Sequence, residues 1–295
     1  MPATGPDVRE NTANEVFTVN PQQQPDAPKP PIPGIRSMIA VGSGKGGVGK
    51  TTVSVNLSIA LSRLGYRTGL LDADVYGPNI PLMLGVQQQP YAVDNRIVPL
   101  EKDGLKLMSM GFLNPGDKPL IWRGPMLHSV IGQFLRGTEW GELDFLVIDL
   151  PPGTGDVQLS LIQTAPLSGA IVVTTPSDVS LEDARKAVNM FRQVRVPLLG
   201  LVENMSYLIA PQSGERIDVF GTGGGRRTAA EMDVHFLGEL PLDPQIRVGG
   251  DTGNAVGWRG EKDPAAAAFY KMAREAAQRA ELNAAEGGPS MTIED

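Results

Sequence analysis

Short apolar runs alternate with segments of helical periodicity along most of this chain. Five of the runs have the length of a buried strand: MIAVGS, RTGLLDAD, LDFLVIDLPP, GAIVVTTP and PLLGLVEN. Between them, apolar residues recur at helical spacing in residues 51–64, 125–136 and 178–194. This alternation predicts an α/β fold in which a mostly parallel sheet carries helices on both faces.

The pattern also predicts one folded domain with a loose segment at each end. Residues 1–37 contain PQQQPDAPKPPIPG, in which proline blocks helix formation and little apolar surface is available, so we expect a disordered proline-rich arm. The predicted domain covers residues 38–283 and includes, beside the sheet, a polar-turned hairpin in residues 96–110. Residues 284–295 are expected to form a loose tail.

Composition narrows the classes of partner and chemistry. The chain has 26 basic and 33 acidic residues, a net charge of −7, which does not favour a nucleic acid partner. It has neither an apolar run near the ~18 residues of a membrane span nor a basic-then-apolar signal segment, so we expect a cytoplasmic protein without a membrane partner. With no cysteine, the chain cannot itself supply disulfides, thiolate metal ligands or a cysteine nucleophile.

The first apolar run leads into GSGKGGVGKTT, the most informative stretch of the sequence. Gly44, Gly49, Lys50 and Thr51 complete the phosphate-loop pattern G-x-x-x-x-G-K-[ST] between a predicted strand and a predicted helix. In such a loop, main-chain N–H groups surround the phosphates, the lysine neutralises their oxygens and the hydroxyl binds Mg²⁺. This pattern predicts a nucleotide site, and the alternative is a glycine-rich turn without a ligand. The predicted contacts are Gly44, Lys45, Gly46, Gly47, Val48, Gly49, Lys50, Thr51 and Thr52.

A second lysine, Lys45, lies inside this loop, directly after Gly44. With it, the loop resembles the deviant phosphate loop of the ATPases typified by MinD, ParA, ArsA and the nitrogenase iron protein. The resemblance implies ATP as the nucleotide and a homodimer in which Lys45 reaches the nucleotide of the opposite subunit. We therefore predict catalytic roles for Lys45 and Lys50; the alternative for Lys45 is a solvated side chain on a loop.

Acidic residues end two of the predicted strands. Asp72 and Asp74 end the second run on one side of the strand, and Asp149 ends the run LDFLVID. The Asp149 carboxylate is predicted to hold Mg²⁺ through water beside Thr51, because a buried unpaired carboxylate would be costly. The resemblance implies that Asp74 positions the attacking water and that Asp72 lies near the metal. The alternative for Asp72 and Asp74 is helix capping.

A longer series of motifs resembles one family within that group. DADVYGPNIPLMLG, WRGPMLHSVIGQFL, IDLPPGTGDVQLSL, VENMSY and PLDPQIR are similar, in this order, to the motifs of the Mrp-type ATPases, the ApbC group of iron-sulfur cluster carriers. The resemblance covers residues 35–275. It implies ATP hydrolysis, dimerisation and the transfer of a [4Fe-4S] cluster to apoproteins, with Asn204, Pro241 and Asp243 near the adenine.

The sequence departs from this family at the expected cluster site. Typical members carry a C-x-x-C pair just after N-M-S-Y, and the matching positions here are Ala210 and Ser213. Neither side chain supplies a thiolate, so direct ligation of a cluster by this chain is doubtful.

The leading hypothesis is an ATP-hydrolysing homodimer that acts in iron-sulfur cluster assembly or transfer, with assembly proteins or apoprotein clients as partners. One alternative is a MinD- or ParA-like positioning switch, which would require attachment to a membrane or to DNA. Another is an ATP-dependent regulator without cluster chemistry. The acidic tail and the net charge of −7 weigh against the positioning switch.

Overall fold

The central feature of the fold is a sheet of nine strands within residues 29–113 and 124–286, the part of the chain that the computed structural model describes. Two further strands form a separate hairpin. In chain order, the strands are β1 (Ile35–Gly42), β2 (Thr68–Asp72), β3 (Tyr91–Val93), β4 (Arg96–Val98), β5 (Leu100–Lys102), β6 (Leu105–Ser109), β7 (Leu143–Asp149), β8 (Gly169–Thr174), β9 (Leu198–Ile209), β10 (Arg216–Ile217) and β11 (Phe236–Pro241).

Most neighbouring strands of the central sheet are parallel. The order is β11, β9, β8, β1, β7, β2, β6 and β5, and the two-residue β10 pairs with the end of β9. Only β5 and β10 run antiparallel to their neighbours. This sheet confirms the predicted α/β fold class.

Helices connect the strands and cover the sheet. In chain order they are α1 (Lys50–Arg63), α2 (Ile80–Met83), α3 (Gly124–Arg136), α4 (Asp156–Thr164), α5 (Asp178–Gln193), α6 (Gly224–Glu231), α7 (Pro244–Asp251) and α8 (Pro264–Glu286). No helix in the described ranges has both the length and the apolar character needed to cross a membrane.

Two hydrophobic cores lie on opposite faces of the sheet. Ile39 and Val41 of β1 belong to the core that contains α1 and α8, whereas Met38 and Ala40 belong to the core that contains α3, α4 and α5. Successive side chains of a strand point to opposite faces, so this division shows that both faces of the sheet are covered by helices.

The ends of the predicted domain differ slightly from the observed elements. Strand β1 begins at Ile35, where it pairs with Leu143, so the strand starts within the segment predicted as an arm. Ile32 is also buried in the core. At the other end, α8 continues to Glu286 and includes the first residues of the predicted tail. Residues 1–28 and 287–295, which carry the rest of both predictions, lie outside the described residues.

The predicted hairpin in residues 96–110 is present as β5 and β6, joined by a turn at Asp103 and Gly104, both at positive φ. It differs from the prediction in its position: β6 pairs in parallel with β2 and so belongs to the central sheet.

Candidate functional site

The predicted phosphate loop and acidic residues meet at one edge of the sheet. The loop joins the end of β1 to the start of α1, and Asp72 and Asp149 end the adjacent parallel strands β2 and β7. These two aspartates are register partners across the strands. In α/β sheets, ligands bind at the carboxyl ends of the strands, which is where these residues lie.

The loop has the backbone conformation that its glycines permit. Gly47 and Gly49 both have φ 81°, a left-handed region that other residues rarely adopt. Gly44 is needed for a different reason: a Cβ there would lie 1.9 Å from the main-chain oxygen of Asp183 in α5. Gly46 and Gly47 are exposed, whereas Val48 is buried. The loop is therefore held closely against α5 and leaves its outer main chain open.

Lys50 lies among the predicted acidic residues. Its Nζ atom is 2.9 Å from Asp149 Oδ1 and 3.7 Å from Asp74 Oδ2. It also lies 3.4 Å from the Thr51 hydroxyl oxygen. The Lys50 side chain is only 5% exposed, so this charge depends on the two carboxylates for its stabilisation.

The Asp149 carboxylate accepts hydrogen bonds from two hydroxyl groups of α1, the helix that follows the loop. Its Oδ2 accepts a hydrogen bond of 2.8 Å from Thr51, and its Oδ1 accepts one of 2.7 Å from Ser54. A hydroxyl and a carboxylate beside a phosphate loop fit the oxygen donors that Mg²⁺ prefers. Among the described residues, no group of three or more His, Cys, Asp or Glu side chains is placed to hold a metal ion. A magnesium ion here would therefore complete its shell with phosphate oxygens and water.

Asp72 makes its contacts within the protein. Its carboxylate is fully buried and accepts hydrogen bonds from the Ser109 hydroxyl at 2.8 Å and from the Ile80 and Asp74 main-chain N–H groups at 3.2 and 3.3 Å. Burial, reinforced by the Asp149 carboxylate, raises the pKa of Asp72 to about 8. These contacts tie β2 to β6 and to the start of α2, and the predicted position of Asp72 near a metal stays a prediction.

The two carboxylate oxygens of Asp74 have different partners, a main-chain turn and Lys50. Its Oδ1 accepts hydrogen bonds from the Tyr76 and Gly77 N–H groups at 3.1 and 3.3 Å, while its Oδ2 faces Lys50. Burial raises the pKa of Asp74, and the charge of Lys50 opposes this shift. Asp74 thus makes capping contacts of the kind that the alternative prediction described, and its second oxygen faces Lys50 of the phosphate loop.

Lys45 differs from Lys50 in its surroundings. It is partly exposed, and it forms no ion pair with any residue in the described ranges. Its main-chain oxygen accepts a hydrogen bond from the Ser43 hydroxyl at 2.9 Å, which stabilises the loop. The ammonium group is therefore available to a ligand outside this chain.

The three predicted adenine contacts line one cavity of about 400 Å³ beside the loop. Asn204 donates a hydrogen bond of 2.9 Å from Nδ2 to the main-chain oxygen of Val48, which joins β9 to the loop. Asp243, two residues after Pro241, accepts one of 2.7 Å from the Gln245 N–H group and so caps α7. Thr52 lines the same cavity. The volume is sufficient for a nucleobase and part of a ribose.

The segment expected to carry a cluster forms a closed hairpin. Strand β9 continues to Ile209 and pairs with β10, and Ala210 lies at the start of the connecting turn. The Ala210 N–H group donates to the Glu215 oxygen at 2.9 Å, and the Ser213 hydroxyl accepts from the Glu215 N–H group at 3.3 Å. Neither position offers a thiolate, so these residues do not fit a [4Fe-4S] cluster.

Two buried residues of the site were not predicted from the sequence. Ser54 supports Asp149, and its only sequence signal is its position one helical turn after Lys50. Glu203 accepts hydrogen bonds from the Ser206 hydroxyl at 2.6 Å and from the Gly225 N–H group, so that an internal carboxylate occupies the start of α6. No local pattern distinguishes Glu203 from other strand residues.

Together, the glycine loop, its lysine and hydroxyl, and the aspartate of the adjacent strand define a P-loop NTPase. Residues 34–277 match the ParA family model described as NUBPL iron-transfer P-loop NTPase. The chain belongs to this family, which confirms the resemblance inferred from the motifs.

Curated relatives and solved structures agree with this assignment. The chain is 49% identical to the iron-sulfur cluster carrier protein of Aquifex aeolicus over 87% of this chain and 71% of that protein. It is 46% identical to the iron-sulfur cluster transfer protein NUBPL of Dictyostelium discoideum over 88% and 81%.

Among solved structures, a nucleotide-binding protein from Archaeoglobus fulgidus in complex with ADP is 37% identical, with a TM-score of 0.68 over 77% of this chain and 89% of that one. The septum site-determining protein MinD of Pyrococcus horikoshii, complexed with Mg-ADP, is 26% identical, with a TM-score of 0.63 over 84% and 98%.

Proposed function

We propose that this chain binds and hydrolyses ATP with Mg²⁺ as a homodimer and serves iron-sulfur cluster assembly or transfer. The observation that carries the proposal is the position of Lys50, which lies 2.9 Å from Asp149 at the mouth of a glycine-rich loop. The membership in an iron-transfer P-loop NTPase family supports it.

Nucleotide binding would rest on the loop and the cavity. The N–H groups of residues 44–52 and the Lys50 ammonium would hold the phosphates, while Asn204, Pro241 and Asp243 would border the adenine. Thr51 and Asp149 would hold Mg²⁺, directly or through water, with Asp72 beside them as the register partner of Asp149. The metal ion would neutralise phosphate charge.

Hydrolysis would require one group to position water and another to balance charge. Asp74 Oδ2 lies 3.7 Å from Nζ of Lys50, the lysine of the phosphate loop, which supports a role in orienting the attacking water. Lys45 has no ion-pair partner within the described chain, which supports a contact with the phosphates of a second copy. A charge supplied in this way can raise phosphoryl-transfer rates by ~10³ to 10⁵, by analogy with arginine fingers.

The cellular role is supported by the relatives, which are named as iron-sulfur cluster carrier or transfer proteins. Ala210 and Ser213 provide no thiolate, so the ligands of any cluster would come from a client or an assembly partner. The protein would then act as an ATP-driven adaptor in cluster assembly, with nucleotide binding changing its affinity for these partners.

The proposal is tested by ATP binding and hydrolysis of the purified protein with Mg²⁺. We expect Lys50→Ala to abolish binding, because it removes the buried cation of the loop.

Asp74→Ala should retain binding and lose hydrolysis by about 10²-fold or more. Lys45→Ala should bind ATP as a monomer and lose both hydrolysis and the ATP-dependent dimer, measured by light scattering.

Lys271→Ala, a change of an exposed lysine in α8, serves as the control and should match the wild type. Equal hydrolysis by Asp74→Ala and the wild type would refute the role of Asp74. A wild-type protein that binds no ATP would overturn the whole proposal.

A further inference from the structure

Gln158 is a buried polar residue to which the proposed chemistry gives no role. It lies in the first turn of α4 and is 1% exposed. Among the described residues, neither its amide nitrogen nor its amide oxygen has a hydrogen-bond partner. A buried amide without partners is unfavourable, and a hydrophobic residue of similar volume would avoid this cost.

The amide is packed against the start of the phosphate loop. A Cβ on Gly42, the last residue of β1, would lie 3.0 Å from Gln158 Nε2 and 3.0 Å from the Phe191 ring. Phe191 belongs to α5, the helix that contacts Gly44. Gln158 therefore lies where β1, α4 and α5 meet, directly beneath the loop.

Helix α4 is also connected to the phosphate loop through the segment that precedes the helix. The segment that precedes it, residues 150–155, follows Asp149, and its Gly153 N–H group donates a hydrogen bond of 3.0 Å to the Ser43 oxygen. Gly153 has φ 96°, and a Cβ on Gly153 or Gly155 would have no neighbour within 4 Å. This segment thus contacts the loop, and the space beside its two glycines is open.

We propose that Gln158 is a positioning residue that couples this segment to the phosphate loop when ATP binds. This inference rests on the proposed ATP site. Residues 150–155 lie against the phosphate loop, so we expect the γ-phosphate of bound ATP to contact this segment and to shift the first turn of α4. The Gln158 amide then forms hydrogen bonds with the main chain at the start of the loop. The unpaired amide thereby favours the ATP-bound arrangement over the others. ADP, which has no γ-phosphate, does not produce this pairing.

The test compares thermal unfolding and nucleotide affinity in Gln158→Leu and the wild type. Leu removes the unpaired amide, so Tm without nucleotide should rise by about 2–4 °C. The same change removes the hydrogen bonds of the ATP-bound state, so the Kd for Mg-ATP should rise about 5–10-fold. The Kd for Mg-ADP should stay within about twofold of the wild-type value, since the γ-phosphate is absent.

Gln163→Leu is the matched control, because it is the same change at an exposed position of the same helix. It should leave the ratio of the two affinities unchanged. Gln158→Met, with an unbranched side chain, repeats the test if leucine packs poorly. A lower Tm for both Gln158 variants, or an equal loss of ATP and ADP affinity, would overturn the inference. A wild type without affinity for either nucleotide would instead overturn the proposed function, and this inference with it.

Discussion

At the scale of single residues, the site depends on charges that are balanced inside the protein. Lys50 is almost fully buried, and its nearest carboxylate, Asp149, also accepts hydrogen bonds from Thr51 and Ser54. One carboxylate therefore orients both the lysine and the hydroxyl that is proposed to hold Mg²⁺. Its removal would leave a buried positive charge with only Asp74, 3.7 Å away, as a partner.

Asp149→Asn should weaken the dependence of ATP affinity on Mg²⁺. The substitution keeps the shape of the side chain and removes the charge that would hold Mg²⁺ beside Thr51. We expect the ratio of the ATP Kd in EDTA to the ATP Kd in Mg²⁺ to fall by about tenfold or more, towards one. Calorimetric titration under both conditions measures this ratio.

Asp144→Asn is the matched control, since Asp144 lies on the same strand and pairs with Arg67, away from the loop. It should keep the wild-type ratio. An unchanged ratio in Asp149→Asn would contradict the assignment of Asp149 to the metal.

At the scale of elements, the loop is positioned by the helix it contacts as well as by the strand and helix it joins. Gly44 lies against the main chain of α5 at Asp183, and Asn204 at the end of the predicted run in β9 binds the Val48 oxygen. The conformation of the loop is thus fixed by contacts with α5 and β9 that lie far from it in the sequence.

Gly44→Ala should test the contact with α5. The added Cβ would lie 1.9 Å from a main-chain oxygen, so the loop or α5 must shift, and the free energy of unfolding should fall by about 1–3 kcal/mol. Gly46→Ala in the same loop is the control, because the nearest atom would be 3.9 Å away and the change should stay within about 0.5 kcal/mol. Urea unfolding measures both, and equal effects would contradict the close approach at Gly44.

Elements that are formed by local interactions were predicted from the sequence, whereas those that depend on contacts distant in the sequence were not. The strands with continuous apolar runs and the phosphate loop are local patterns, and the sequence predicted them. The predicted run ended at Asn204, but β9 continues to Ile209 because β11 pairs with it at Tyr207 and β10 pairs with it at Leu208 and Ile209. Ser54 and Glu203 were missed because each binds a group far along the chain, 95 and 22 positions away.

At the scale of the whole molecule, the site lies at the junction of the two cores. Strand β1 contributes alternate side chains to both cores, α1 packs into one of them, and α5 packs into the other. The loop at the end of β1 thus contacts helices of both layers. The phosphate loop therefore has a direct packing connection to the helices on each face of the sheet.

Anaerobic reconstitution with iron and sulfide tests whether the protein itself can bind a cluster. The chain has no cysteine, so we expect the purified protein to retain far less than one cluster per two chains after desalting. The double variant Ala210→Cys with Ser213→Cys places thiols at the family's positions and should gain iron and visible absorbance. Stoichiometric iron on the wild-type protein would contradict an adaptor whose cluster ligands come from its partners.

The closed hairpin around Ala210 and Ser213 has a consequence for the conditions under which the protein can work. Its turn is held by main-chain hydrogen bonds, and it contains no atom that oxygen, peroxide or a chelator attacks readily. In a protein that holds a cluster through thiolates, oxidation removes the cluster and with it the shape of this surface. Here the turn carries no thiolate to oxidise, so we expect its main-chain hydrogen bonds, and with them its conformation, to be the same in air and under reducing conditions.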